Sequence, residues 1–175
     1  IAIPMSNPPS IAEVYLQPGD YHFGGTYTRI RTLLGSCVSL VLWHPRARLG
    51  GMCHYMLPSR GRASALPDGR YGDEAMRLLS EAVASSGTRV SDYQVRIFGG
   101  GHMFPSIASD RQQHIGLQNV EMARRLVAEQ GLICHGEHVG GVGYRNLIFD
   151  IWSGQLALKQ SAPPPIHGRS GVRPK

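Results

Sequence analysis

Residues 32–58 constrain the fold of this chain more than any other stretch. They read TLLGSCVSLVLWHPRARLGGMCHYMLP, with two apolar segments on either side of a polar turn at 44–48. Two β-type segments joined by a short turn that contains proline predict a β-hairpin. In a hairpin, the start of the first strand lies beside the end of the second. A turn near Pro45-Arg46 is therefore expected to bring Cys37 level with His54.

Cys37 and His54 are candidates for a nucleophile and its base. The imidazole can take the thiol proton, and the thiolate can then attack an acyl carbon. A free cysteine is more often a small buried apolar residue, which is the alternative interpretation. Gly35 and Ser36 favour catalysis, because they leave the backbone before Cys37 open and its amides can point at a carbonyl oxygen, as an oxyanion hole requires.

Length and composition limit the class of protein. The 175 residues fit one domain, and a hydrophobic content of 42% is sufficient for an ordinary core. Every apolar run is shorter than the roughly 20 residues of a transmembrane helix, and the N-terminus lacks the pattern of a secretory signal. The three cysteines form no disulfide framework, which favours a reducing cytoplasm. We therefore predict a cytoplasmic protein that does not insert into a membrane.

The formal net charge of +6 raises the question of an anionic partner. No zinc-finger, RRM-like or helix-turn-helix pattern accompanies the basic residues, so nucleic acid is not predicted as a partner. A group of arginines near the predicted hairpin is expected to steer an acidic protein towards the site. The members of this group are Arg46, Arg48, Arg60, Arg62 and Arg70.

The order of predicted elements indicates an α+β domain with mostly antiparallel or mixed sheets and helices packed outside. Apolar spacing predicts helices over 73–85 and 119–130. Strands are predicted at 13–16, 38–43, 93–98, 132–134, 146–152 and 155–159, with His54 on a further strand after the turn. The single domain is placed at 13–160, between a loose lead-in at 1–12 and a disordered or docking tail at 161–175.

Two cofactor hypotheses are not favoured by the pattern. The triplet Gly99-Gly100-Gly101 lacks the Gly-Lys-Ser/Thr ending of a phosphate loop and the full dinucleotide spacing. Zinc would need adjacent cysteine and histidine residues to bind one ion, although neighbours on a strand point to opposite faces. The residues concerned are Cys53, His54, Cys134, His135 and His138. We expect neither a metal nor another cofactor.

Several segments together resemble one known family. LGSCVSLVLWHP followed by GGMCHYMLP is similar to the chemoreceptor glutamine deamidases of bacterial chemotaxis, the CheD family. YGDEAM, FGGGHMF, IGLQNV and GYRNLIFDIWSG fit the same family, so the resemblance covers residues 14–159. It implies an α/β/β/α layered sandwich like the catalytic domain of cytotoxic necrotizing factor toxins.

The resemblance also implies roles for individual residues. The family's nucleophile corresponds to Cys37, its histidine to His54, and its third catalytic residue to Thr32, which would orient His54 through its hydroxyl. His54 and local amides are expected to lower the pKa of Cys37. The Gly35-Ser36 turn would hold the oxyanion. The glycine-rich loop is expected near the substrate and contributes Gly100, Gly101 and His102.

By resemblance, the reaction is hydrolysis of glutamine side chains to glutamate on the helical cytoplasmic region of methyl-accepting chemotaxis receptors. Some members of the family also bind CheC, a phosphatase that acts on CheY-phosphate. The alternative function is therefore a regulatory module that docks on receptors or on CheC, with catalysis secondary. The intact pair of Cys37 and His54 favours the enzyme.

Overall fold

A computed structural model describes residues 10–103 and 110–163. Residues 1–9 and 164–175, most of the predicted lead-in and tail, lie outside the described part. The helices are α1, Gly72–Ser85, and α2, Asp110–Glu129, with a single 3-10 turn at Val90–Asp92. The strands are β1 Ala12–Leu16, β2 Tyr21–Gly24, β3 Thr28–Leu34, β4 Val38–His44, β5 Leu49–Cys53, β6 Gln94–Gly99, β7 Cys134–Val139, β8 Tyr144–Asp150 and β9 Gln155–Ser161.

The strands form two sheets. One has the order β1-β3-β8-β9 and the other the order β2-β5-β4-β6-β7. The pairs β1–β3 and β6–β7 are parallel, and the remaining pairs are antiparallel. The prediction of an α+β domain with mostly antiparallel or mixed sheets is therefore confirmed.

Alternation along β4 divides its side chains between two cores. Val38, Leu40 and Leu42 face the helices, and all three are fully buried against the apolar stripes of α1 and α2. Val41 faces the other sheet and packs in the second core, between the two sheets. Burial of each such aliphatic side chain contributes about 1.5–3 kcal/mol. A strand that is buried on both faces reads as an unbroken apolar run, as residues 38–43 do.

The predicted four-layer order differs from the described structure. Both helices pack on the same face of the five-stranded sheet, so the described elements form three layers, α/β/β. The outer face of the other sheet carries the ion pairs Arg29–Asp150 and Arg31–Glu13, and such a polar face needs no helix to cover it. The prediction of α/β/β/α is wrong for the described residues, and the likeness to the toxin domain stays a prediction.

Two elements differ from their predicted bounds by more than two residues. Helix α2 begins nine residues before Asn119, because its first half lacks an apolar stripe that would reveal it. Gly116 in that half lies against Gly100, where an added Cβ would come within 2.6 Å of the Gly100 oxygen. Strand β7 covers Cys134–Val139 instead of 132–134. It is an edge strand with no fully buried residue, so it lacks the apolar pattern of a central strand.

The first described strand begins near residue 13 and the last ends near residue 160, and the division of the chain at those limits stays a prediction. Ala12 pairs with Thr28 at the first strand, and Ser161 pairs with Tyr144 at the last. Each strand therefore extends one residue beyond the predicted limit. Neither helix of the described ranges combines the length and the apolar composition of a transmembrane segment.

Candidate active site

The predicted hairpin exists, but its register is shifted. Val38 forms a bridge with Tyr55 through two backbone hydrogen bonds of 3.1 and 3.0 Å, and Val41 pairs with Met52. In this register His54 lies across from Ser39. Cys37 is two residues before Ser39, just ahead of β4. Cys37 and His54 are therefore diagonal neighbours and not level, because the turn is centred one residue later than Pro45-Arg46.

The same alternation decides which side chains share a face. Cys37 packs against the core between the sheets, whereas Cys53 is fully buried in the core beneath the helices. His54 follows Cys53 and so faces the space between the sheets, as Cys37 does. No hydrogen bond joins the thiol to the imidazole among the described contacts. Catalytic contacts are often long in a substrate-free protein and shorten when substrate binds.

Thr32 reaches His54 from the opposite sheet. Its Oγ1 lies 2.7 Å from His54 Nδ1 and 2.9 Å from the carbonyl oxygen of Leu16. The carbonyl can only accept, so the single hydroxyl proton of Thr32 is donated to Leu16. Nδ1 must then carry a proton and donate it to Thr32. This assigns the Nδ1–H tautomer to His54 and leaves Nε2 as an acceptor without a partner in the described part of the chain.

Burial disfavours both charged forms of the pair. Desolvation raises the pKa of the Cys37 thiol to about 11. It lowers the pKa of His54 to about 4, against a smaller opposing effect of the Asp20 carboxylate. The expected lowering of the Cys37 pKa is therefore wrong for the free protein. A neutral thiol stands beside a neutral imidazole at pH 7, which is unlike a pre-formed ion pair.

The turn before Cys37 has its three carbonyl groups held in place. The Gly35 oxygen accepts from Gly101 N–H, and the Cys37 oxygen accepts from Gly100 N–H, both at 2.9 Å. The Ser36 oxygen accepts from Asn119 Nδ2 at 3.1 Å. Within the described residues, the N–H groups of Ser36 and Cys37 donate to no acceptor. Two unused backbone donors next to a thiol have the composition of an oxyanion hole.

The glycine-rich loop lies beside Cys37, and its closeness to a substrate stays a prediction. Gly100 has a φ of +69°, and an added Cβ would overlap Val120 Cγ2, so only glycine fits there. His102 lies in the same loop and lines a cavity of about 200 Å³ together with Gly100 and Val142. Its Nε2 atom is buried and has no partner among the described residues.

The arginine group does not surround the site as expected. Arg46 and Arg48 lie in the turn at the far end of β4 from Cys37. Arg60 is bound to Glu74 by two hydrogen bonds of 2.7 Å, and Arg70 is bound to Asp68. The steering hypothesis is therefore wrong for Arg46 and Arg48, and the ion pairs reduce the net charge that Arg60 and Arg70 present.

The candidate zinc ligands are spread over two strands and two faces. Cys53 and His54 point to opposite sides of the five-stranded sheet, as expected. Cys134 lies on the edge strand β7, and its thiol contacts the carbonyl oxygen of Gly136. Among the described residues, no three histidine, cysteine or acidic side chains are grouped closely enough to hold a metal ion.

Two buried polar residues of the site region were not predicted. Asn119 is fully buried and contacts both Ser36 and Met56. Asparagine disfavours helix interiors, so its place on the buried stripe of α2 is a signal that could have revealed it. Arg145 is 1% exposed and donates to Gly99, Gly140 and His138. A local pattern does not reveal Arg145, because its contact with Gly99 joins segments that lie 46 residues apart in the chain.

Together these features define an α+β protein with a thiol, an imidazole and a hydroxyl at one end of a two-sheet sandwich. The family model of CheD chemotactic sensory transduction matches residues 56–160, which is more than half of the chain. This chain belongs to the CheD family.

Two curated relatives illustrate the similarity. "Probable chemoreceptor glutamine deamidase CheD 3" of Dechloromonas aromatica (strain RCB) is 49% identical over 167 residues, covering 94% of this chain and 98% of the relative. "Probable chemoreceptor glutamine deamidase CheD" of Pseudomonas savastanoi pv. phaseolicola is 45% identical over 156 residues, covering 89% of this chain and 88% of the relative. Because the alignment with the first relative covers 94% of this chain, it includes the hairpin with Cys37 and His54.

Proposed function

We propose that this protein is a chemoreceptor glutamine deamidase, with Cys37 as nucleophile, His54 as general base and acid, and Thr32 as the group that orients His54. It hydrolyses glutamine side chains of chemotaxis receptors to glutamate. Membership of the CheD family and the names of the relatives support this activity. The substrate is a protein, and the reaction needs no metal or other cofactor.

The observation that carries the proposal is the contact of the Thr32 hydroxyl with both His54 Nδ1 and the Leu16 oxygen, from which the tautomer of His54 follows. Thr32 accepts the Nδ1 proton, so the Nε2 lone pair is free to accept a proton. An imidazole in this state can accept the thiol proton without first losing one of its own. Asp20, the carboxylate that acts on the pKa of His54, accepts from the Gln17 N–H. Asp73 accepts from Ser59, and Asp68 binds Arg70.

In the first half of the reaction, the Cys37 sulfur attacks the carboxamide carbon while its proton moves to His54 Nε2. Transfer during the attack suits a pair that burial keeps neutral. The carboxamide oxygen becomes an oxyanion and accepts from the N–H groups of Ser36 and Cys37. His54 then returns the proton to the departing nitrogen, ammonia leaves, and a thioester remains on Cys37.

In the second half, a water molecule attacks the thioester carbon while His54 Nε2 takes one of its protons. The same amides hold the second oxyanion. Collapse of this intermediate breaks the carbon–sulfur bond, and His54 returns the proton to the Cys37 sulfur. The products are a glutamate side chain and the enzyme in its starting state.

The test is to incubate the protein with a chemoreceptor cytoplasmic fragment that contains glutamines and to follow the mass change of amide to acid by peptide mass spectrometry. Wild type should convert specific glutamines, whereas Cys37→Ser and His54→Ala should abolish conversion and keep a cooperative thermal transition. Activity of the Cys37→Ser variant at the wild-type rate would contradict the assignment of the nucleophile.

Docking on CheC is a separate proposal that the resemblance alone supports. The same variants separate it from catalysis, because a docking function should survive Cys37→Ser. A protein that binds CheC and converts no glutamine would favour the regulatory module instead of the enzyme.

A further inference from the structure

Asn119 is a buried polar side chain that the mechanism above does not use. It is fully buried on α2, and its Nδ2 donates to the carbonyl oxygens of Ser36 at 3.1 Å and Met56 at 2.9 Å. Ser36 directly precedes Cys37, and Met56 follows His54 by two residues. Asn119 therefore connects the segments that carry the nucleophile and the base, from a helix that belongs to neither.

The contact with Ser36 acts on a single peptide group. The Ser36 carbonyl and the Cys37 N–H belong to the same planar trans peptide, so they point in opposite directions. A donor that holds the Ser36 oxygen towards α2 therefore directs the Cys37 N–H away from α2, towards the face between the sheets. This N–H is one of the two unused donors next to the thiol.

The adjacent carbonyl groups are held by the backbone. Gly35 and Cys37 accept from Gly101 and Gly100 N–H, and no side-chain substitution removes these donors. Ser36 depends on a side chain, and Asn119 is its donor in the described part of the chain. The orientation of the peptide before the nucleophile therefore depends on one replaceable amide.

The chemistry of the contact fits an amide. Nδ2 carries two protons, one for each of the two carbonyl oxygens. Asn119 Oδ1 is buried and has no partner among the described residues, which is unfavourable for packing alone. The backbone oxygen of Asn119 also accepts from the Tyr55 hydroxyl, so its turn of α2 is attached to the strand segment after His54.

We propose that Asn119 is a positioning residue that keeps the Ser36–Cys37 peptide in the orientation required by the oxyanion hole. The inference rests on the proposed deamidase function, because only acyl chemistry generates the oxyanion. Without the amide, this peptide can rotate and present its carbonyl oxygen to the developing charge. Loss of one oxyanion donor typically lowers kcat by about 10²–10³-fold.

The experiment compares two reactions of the same thiol. Deamidation of the receptor fragment needs the oxyanion hole, whereas alkylation of Cys37 by iodoacetamide displaces iodide from a saturated carbon and forms no oxyanion. Asn119→Ala should lower kcat for deamidation by about 10²-fold with little change in KM, and it should leave the rate of Cys37 alkylation within a few-fold of wild type. Asn146→Ala removes an exposed amide from β8 and should change neither rate.

The outcomes are distinguishable. Equal losses in deamidation and alkylation would show general damage to the site, and an unchanged kcat would show that the amide is not needed; either result overturns the role of Asn119. Absence of deamidation by the wild-type protein contradicts the proposed function, and the role of Asn119 with it. Wild-type activity that Asn119→Ala does not diminish contradicts the role of Asn119 alone.

A second variant covers the case in which Asn119→Ala does not fold. Asn119→Asp keeps the shape of the side chain, and the two carbonyl oxygens should raise the pKa of the new carboxyl group. Only its protonated form can donate to Ser36. The ratio of its deamidation rate to that of wild type should therefore rise as the pH falls from about 8 to 6. A constant ratio would overturn the proposal.

Discussion

The Thr32 hydroxyl controls the proton on His54 without adding charge. A carboxylate in its place would stabilise the imidazolium and raise the pKa of His54, whereas a hydroxyl fixes only the tautomer. The pKa of His54, lowered to about 4 by burial, agrees with this arrangement. At the residue scale, the site is therefore a neutral pair that forms charge only when substrate is present.

Thr32→Val should lower kcat by about 10–100-fold, because the Nδ1 proton of His54 and the Leu16 oxygen both lose their partner. Thr32→Ser keeps the hydroxyl and should remain within a few-fold of wild type. Steady-state deamidation rates for the two variants check this. A valine variant as active as the serine variant would show that the hydroxyl does not orient His54.

Alkylation of Cys37 should continue to accelerate with pH through about 9–10 and show no plateau near neutrality, because burial raises the pKa of its thiol to about 11. His54→Ala should change the neutral rate only slightly. Cys53 should react slowest, since it is fully buried and its pKa is raised to about 12. Iodoacetamide rates from peptide mass spectrometry test this. A plateau near pH 7 that His54→Ala removes would demonstrate an ion pair instead.

At the scale of elements, the β4–β5 hairpin places the candidate site and the arginines of the turn at opposite ends. Cys37 and His54 lie at its open end, and the Pro45–Arg48 turn lies at its other end. At about 3.3 Å per residue, the turn is roughly 25–30 Å from the thiol. Charges act over about 8–10 Å at physiological ionic strength, so the turn has little influence on a substrate at the site.

Reversal of Arg46 and Arg48 to Glu should leave kcat/KM and its dependence on salt unchanged. Arg62→Glu is the contrasting variant, in which a salt-dependent loss of kcat/KM is expected. Arg62 is exposed on the loop that follows Met56 and has no ion pair among the described residues. Rates at low and high salt measure the effect. A salt-dependent loss in the Arg46/Arg48 variant, with none in Arg62→Glu, would restore steering by the turn.

At the scale of the whole molecule, the site is a group of polar side chains buried in the core between two sheets. Thr32 comes from one sheet and His54 from the other, so their contact forms only when the sheets pack together. Ser39 is fully buried in the same layer, and its hydroxyl has no partner among the described residues. Burial of these groups therefore links the stability of the fold to the protonation of the site.

Stability should fall as the pH drops from 6.5 to about 4. Over this range the unfolded chain protonates residue 54 and the folded chain does not, because burial lowers the pKa of His54 to about 4. The contribution of His54 is at most about 3 kcal/mol. Urea midpoints at neutral and acidic pH should show a smaller acid loss in His54→Gln than in wild type. Equal losses would indicate that the imidazole is protonated in the fold.

Local patterns predicted much of the fold. The apolar stripe of α1, the glycine after it and the two apolar segments around Pro45 each depend on near neighbours in the chain, so the sequence alone reveals them. The motifs around Cys37 and His54 were recognisable for the same reason. Thr32 followed from the resemblance, and its contact with His54 could then be tested against the structure.

Long-range pairing decided the rest. The hairpin register, the three-layer order and the first half of α2 depend on which surfaces meet, which periodicity within one segment does not specify. The pKa directions of Cys37 and His54 also reverse the simplest expectation, because desolvation is set by everything packed around a group. The sequence by itself, through local motifs and the family resemblance, determined which thiol, imidazole and hydroxyl are proposed as the site. The tertiary structure decided their protonation and the peptide orientation beside them, since burial and the donors to Ser36 come from segments far apart in the chain.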